Sequence, residues 1–239
     1  MDLKKIKRYA VLIILFFLPV TFLLLLYPAK HNYNTLDVLD EGVQELGAFG
    51  TVDNEKVKLQ DHLTVLGFFG AQPMEQLTGA SNLKELIYDK FKGFKTFQVV
   101  IVLPESAKQE ALTLRRELMK YETLDYWHFV FGNATNINAV YNSLKAEDGL
   151  ADDLSTNAVF IIDKELNLRG RLDDRSDNEL AKQQAAYEKR SYDIIKVADL
   201  KNKMSEDVRI LFTEYRQKRK GNFDSSSRRE NDLKGSYEQ

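Results

Sequence analysis

The longest uninterrupted pattern in the chain is an apolar or neutral run, YAVLIILFFLPVTFLLLLY, from Tyr9 to Tyr27. As a helix it rises about 28 Å, close to the hydrocarbon thickness of a bilayer. Beyond a polar, turn-rich stretch, HLTVLGFF (62–69) is nearly continuous in apolar residues, as in a strand covered on both faces. Pro73 suits the first position of the helix that follows, which is carried by Leu83, Leu86 and Ile87. KTFQVVIVL (95–103) predicts a second buried strand, and Ser106 with Gln109 predicts a capping box. The helix it opens has Ala111, Leu114 and Leu118 on one face. YWHFVF (126–131) predicts a third strand, and Ile137, Val140, Tyr141 and Leu144 a helix at i, i+3, i+4, i+7. NAVFIID followed by LNLRGRL predicts a β-hairpin turning at 164–167, and a smaller hairpin is expected around FGTVDNEKVKL (49–59). Strand, helix, strand, helix, strand, helix, hairpin, helix is the order of an α/β layered domain with a mixed sheet.

The C-terminal third changes character. Val197, Leu200, Met204, Val208, Leu211 and Tyr215 form an a/d seam spaced 3, 4, 4, 3, 4. Such a seam either packs on its own domain or pairs with another helix, which would make a homo-oligomer or a bound partner. From Lys218 onward charge and serine recur without periodicity, a composition that predicts disorder. The organisation read from the pattern is a basic N-terminus (1–8), an anchor (9–27), a tether (28–46), an α/β domain (47–176), C-terminal helices (177–220) and a tail (221–239).

Charge and composition narrow the function. The formal net charge of −2 gives no basic field for nucleic acid. Lys4, Lys5, Lys7 and Arg8 precede the apolar run, while Asp37, Asp40, Glu41 and Glu45 follow it. The positive-inside bias then leaves the N-terminus in the cytoplasm and the rest of the chain outside, as for a single-pass protein of a bacterial inner membrane with a periplasmic domain. The exit LLYPAKHNYN lacks a small-x-small cleavage site, so the run reads as an anchor rather than a signal peptide. Pro19 is tolerable in a membrane helix. Cysteine is absent from the sequence, which removes disulfides, thiol catalysis and thiolate metal sites.

The strand TVLGFF, the stretch GFFGAQPMEQLTGASNLKEL, WHFVFGN and the hairpin VFIIDKELNLRGRL together resemble the thioredoxin-like superfamily. Within it they look most like the Sco/SenC branch of copper-handling cytochrome oxidase assembly proteins, over roughly 32–174. The resemblance implies a thioredoxin-like mixed sheet flanked by helices. It also implies a CPxxCP motif after the first core strand and a histidine before the final hairpin, which together bind copper. Laid on this chain, the first cysteine falls at Gln72, its proline at Pro73, the second cysteine at Gln76 and the histidine at Ser155. The superfamily's cis-proline position falls at Asn157. Gln can neither ionise to a nucleophile nor form a mixed disulfide, and its hard amide oxygen does not suit Cu(I).

The reading that follows is a non-catalytic, membrane-anchored binding or assembly module for an envelope protein, without a cofactor. Its peptide groove would be lined by Phe68, Phe69, Ala71, Gln72, Pro73 and Met74, facing Ser155, Thr156, Asn157 and Ala158. The alternative is a copper chaperone for oxidase assembly using other ligands, with Met74, His62 and His128 as the available donors; the third histidine, His31, lies in the tether. No two histidines stand at i, i+4 or as H-x-H. Asp152, Asp153, Asp163, Asp173 and Asp174 lack calcium-loop spacing. No P-loop, dinucleotide glycine pattern or G-x-S-x-G occurs, and nothing sets a histidine beside Ser155 and Asp153 for a hydrolytic triad.

Overall fold

The computed structural model describes residues 3–26, 35–53, 55–120 and 122–219, which fall into two compact units, Met1–Asn34 and Thr35–Gln239. In the first, helix α1 (Leu3–Leu26) contains Pro19, and the Thr21 hydroxyl donates to the carbonyls of Phe17 (2.8 Å) and Leu18 (3.0 Å). Among the described residues no helix is long and apolar enough to cross a membrane. The side chains described in α1 are Tyr9 and residues 11–22, all exposed. The expected anchor therefore remains a proposal. The predicted disordered tail (221–239) and residues 28–34 of the tether lie outside the described residues.

The second unit is a seven-stranded mixed sheet in the order β1-β6-β5-β2-β3-β4, with β7 on the edge of β5. The strands are β1 (Asp37–Asp40), β2 (Leu63–Phe69), β3 (Phe97–Pro104), β4 (Trp127–Gly132), β5 (Ser155–Ile162), β6 (Leu168–Gly170) and β7 (Tyr192–Asp193). β2, β3 and β4 run parallel, β5 lies antiparallel to β2 with Gly67 opposite Val159, and β6 returns antiparallel to β5. Two parallel strands joined through a helix, beside an antiparallel hairpin and a closing helix, are the thioredoxin-like arrangement, as the resemblance implies.

Helices cover both faces. The helical run 73–91 is a 3-10 turn (Pro73–Gln76), α2 (Leu77–Leu83), a π-helical segment (Lys84–Tyr88) and α3 (Asp89–Phe91). It shares one face with α4 (Lys108–Leu118) and α7 (Ser205–Arg219), around Leu63, Val65, Val99 and Ile101. On the other face α5 (Ala134–Ser143) packs Ile137, Val140 and Tyr141 over Leu66, Phe68, Val100 and Phe160. β2 and β3 are buried along almost their whole length, which is why they read as continuous apolar runs.

Several expectations are corrected. Residues 35–46, assigned to the tether, are folded: β1 pairs with β6, and Val43 and Leu46 are buried. Among the described residues of 49–59 no hairpin strands form, and Gly50 bridges Phe131. Ser106 and Gln109 make no capping box, because a 3-10 turn (Glu105–Ala107) precedes α4 and leaves Ala107 as its N-cap. A capping box appears instead at Ser176 and Glu179, opening the short α6 (Asp177–Ala181).

The C-terminal seam packs on its own domain. Leu200, Met204, Val208 and Leu211 have no exposed surface and join the core under α2, and Phe212 stacks on Phe94 at 4.2 Å. A dimer through this seam would have to uncover those residues. Two arginines, the buried Arg169 and the half-buried Arg171, fix α7 in place. Arg169 donates to Asp163 (3.0 Å), Glu214 (2.8 Å) and the carbonyl of Leu36 (2.6 Å). Arg171 grips the Asp207 carboxylate from both its Nε (3.1 Å) and Nη2 (2.7 Å), and Tyr192 donates to the same carboxylate at 2.6 Å. Burial holds the Asp207 carboxyl above its ordinary range despite these partners, and burial beside Asp207 holds the Tyr192 phenol well above its own.

Between the two arginines lies Gly170, whose missing Cβ lets the carbonyl of Lys189 and the side chain of Leu39 close over it. A methyl there would collide with a backbone atom that cannot step aside. Gly170→Ala is therefore expected to cost about 2–3 kcal/mol of stability, read from chemical denaturation with an unchanged m-value; a cost near zero would show that this crossing is loose.

Candidate functional site

The site implied by the resemblance begins where β2 leaves the sheet. Gly70 sits at φ +68, and a Cβ there would lie 2.6 Å from Asp153 Oδ2 and 2.7 Å from Ser155 Cβ. Only glycine accepts both the left-handed backbone and that approach. Past it the Ala71 N–H donates to the Asp153 carbonyl at 2.9 Å. Asp153 in turn accepts from the Ser155 N–H (3.0 Å) and hydroxyl (2.7 Å) on one carboxylate oxygen. Ser155 faces Phe69 across the β2–β5 ladder. The loop holding Gln72 and the loop holding Ser155 are thus brought side by side, as the resemblance implies.

Gln72 is exposed, Pro73 is buried and Gln76 is half-buried at the end of the 3-10 turn. The Gln72 carbonyl accepts from the Glu75 N–H at 3.0 Å, while no side chain caps this turn from its own N-cap position. The cap comes from elsewhere: Glu110 of α4 accepts the Met74 N–H at 3.0 Å. A helix start favours negative charge and, in a redox site, would lower the pKa of a thiol placed on it. Here a carboxylate already stands on that amide. The Ser155 hydroxyl is likewise committed, to Asp153. The constellation offers two amides and a bound hydroxyl, none of which is a soft metal donor or a redox group.

The expected groove differs from what the chain builds. Phe68 and Phe69 have no exposed surface: Phe68 packs edge-on against Tyr141 at 5.2 Å, and Phe69 lies in the opposite core. Their adjacent side chains point to opposite faces of the sheet, so neither lines an open groove. Ala71, Met74, Ser155, Thr156 and Ala158 are half-buried, while Gln72 and Asn157 are exposed. β7 occupies the edge of β5 here: Asp193 pairs with Ala158, Tyr192 pairs with Val159, and Ile194 N–H donates to the Asn157 carbonyl at 3.0 Å. Ile194 itself fills the notch over Gly79 in α2, and Asn82 donates to its carbonyl at 3.0 Å.

Of the alternative metal donors, His62 and His128 lie near each other, while Met74 is set apart from both. His62 precedes β2 and His128 lies near the start of the parallel strand β4, whereas Met74 lies beyond the far end of β2. The seven residues of β2 span about 20 Å, far more than any ligand set bridges. Among the described residues no group of three or more His, Cys, Asp or Glu side chains could hold a metal ion.

No family model matches the chain, and no curated protein matches it. Similar solved structures exist. One is BsSco, a member of the Sco family of cytochrome c oxidase assembly proteins studied for a disulfide switch, at 14% identity over 74% of this chain and 97% of that one, with a TM-score of 0.49. A second is copper-bound ScoI of Arabidopsis thaliana, at 16% identity over 71% and 98%, TM-score 0.37. A third is the thioredoxin domain of a thiol-disulfide oxidoreductase from Bacteroides vulgatus, at 12% identity over 64% and 96%, TM-score 0.38. The resemblance read from the sequence is to the same group. No residue role is taken from these likenesses; the fold assignment rests on the strand order and register above.

Gln72, Gln76 and Ser155 were reachable from sequence through the resemblance, whereas Glu110, Asp153 and Gly70 were not singled out as site residues. In a Gln72→Cys variant the thiol should titrate near its ordinary value of about 8.5, and adding Glu110→Gln should lower it by about half a unit or more. Thiolate absorbance against pH reads both. No shift between the two variants would remove Glu110 from the site.

Proposed function

We propose that this chain is a thioredoxin-like module held on the outer face of a bacterial inner membrane by its N-terminal helix, acting by binding rather than by thiol chemistry. The observation that carries the reading is the site itself. The strand-to-helix turn and its facing loop are kept, while Gln72 and Gln76 replace the redox pair and Glu110 takes the helix-start amide. A scaffold kept without its reactive atoms retains shape and surface, which serve recognition. The partner is an envelope protein, and assistance to the assembly of a membrane complex is the role the resemblance suggests.

The exposed apolar residues of α1, from Val11 to Phe22, support the anchor because such a surface is costly in water. The basic residues before it support an inward N-terminus. The copper-chaperone alternative has less support, since His62 and His128 lie near each other but Met74 lies beyond the far end of β2.

Full-length protein in detergent should leave insulin disulfides intact in dithiothreitol at the rate of the blank, while Gln72→Cys/Gln76→Cys should gain turnover. Activity in the wild type would overturn the non-redox reading. In intact spheroplasts, external protease should remove the domain and leave a fragment of the size of α1; full protection would overturn the outward topology.

A further inference from the structure

A second site lies away from the Gln72 turn. Between β4, α4 and the 51–55 loop is a cleft of about 320 Å³, within the range of small-ligand sites. Leu112, Met119 and Phe129 make its apolar walls. Two residues of the same lining carry donors without acceptors. The indole N–H of Trp127, a residue 2% exposed, has no hydrogen-bond partner, and neither has the buried Nε–H of Arg115. Leaving a buried donor unpaired is costly, and folded chains keep few of them. Arg115 is half-buried and reaches one carboxylate among the described residues, the exposed Asp53, through Nη1 at 3.5 Å. A charge-assisted bond is about 2.7–2.9 Å long, so this contact is loose. The Nε–Nη2 edge of the guanidinium meets no acceptor among the described residues. It is the edge with which Arg171 grips the Asp207 carboxylate.

We infer that this cleft binds a small organic carboxylate with an apolar body. The carboxylate takes the Nε–Nη2 edge of Arg115, whose planar fork matches its two oxygens. The Trp127 N–H donates to the same molecule, and the body lies against Leu112, Met119 and Phe129. An amine would leave every one of these donors unpaired, since an ammonium group accepts no hydrogen bond. The rim carboxylates Asp53, Glu55 and Asp125 are exposed, so water and salt weaken their repulsion of an anion.

The chain contains one tryptophan, Trp127, so a single indole N–H resonance reports on this cleft. Hydrocinnamate added to the full-length protein in detergent should move that resonance downfield and saturably. Hydrocinnamamide, which lacks the charge and the second oxygen, should bind about tenfold more weakly, and phenethylamine should leave the resonance in place. Arg115→Lys keeps the charge but loses the fork, and should weaken hydrocinnamate about tenfold with unchanged thermal stability. Asp53→Asn removes the competing carboxylate and should tighten it. No saturable shift up to the solubility of the acid, equal or tighter binding of the amide or the amine, or unaltered affinity in Arg115→Lys would overturn the assignment.

Discussion

The crossing of two backbones at Gly70 is the constraint on which the site depends. β2 can enter its helix only by passing within contact distance of Asp153 and Ser155, and that pass needs both a left-handed residue and no side chain. Once made, it fixes the Ala71 N–H on the Asp153 carbonyl and seats Gln72 beside the start of β5. The same crossing would position a thiol pair if cysteines stood at 72 and 76. At those two positions stand glutamines, whose side chains do not ionise to a thiolate.

The C-terminal segment gives this scaffold its second character. Arg169 and Arg171, two residues apart at the end of the sheet, hold α7 through Glu214 and Asp207, and Asp207 also takes the Tyr192 hydroxyl. Buried ion pairs of this kind add little net stability, but losing one partner strands the other. They therefore specify where α7 and β7 lie. β7 in turn seals the β5 edge beside Asn157 and Ala158, which leaves a closed face where an open groove was expected.

How much of this was legible followed the range of the interactions. β2, β3, β4 and the β5–β6 hairpin were readable because burial on both faces writes itself as unbroken apolar runs. α5 was readable from its spacing. β1 and β7 were not: four and two residues are too short to show a period, and both exist only because the sheet offers an edge. Ser106 and Gln109 matched a capping pattern, but the chain enters α4 through a 3-10 turn, so the serine is already inside it. At the site, the substitutions at 72, 76 and 155 could be read one by one, whereas Glu110 meets Met74 from 36 residues away and left no local signal.

A turn that carries no cysteine, has Met74 as its one thioether and already holds a carboxylate should have no appreciable affinity for a soft cation. Competition between the full-length protein and a chromogenic Cu(I) chelator tests this most directly. The account predicts that the chelator keeps all of the copper at equimolar protein. Stoichiometric withdrawal of Cu(I) by the wild-type chain would contradict it.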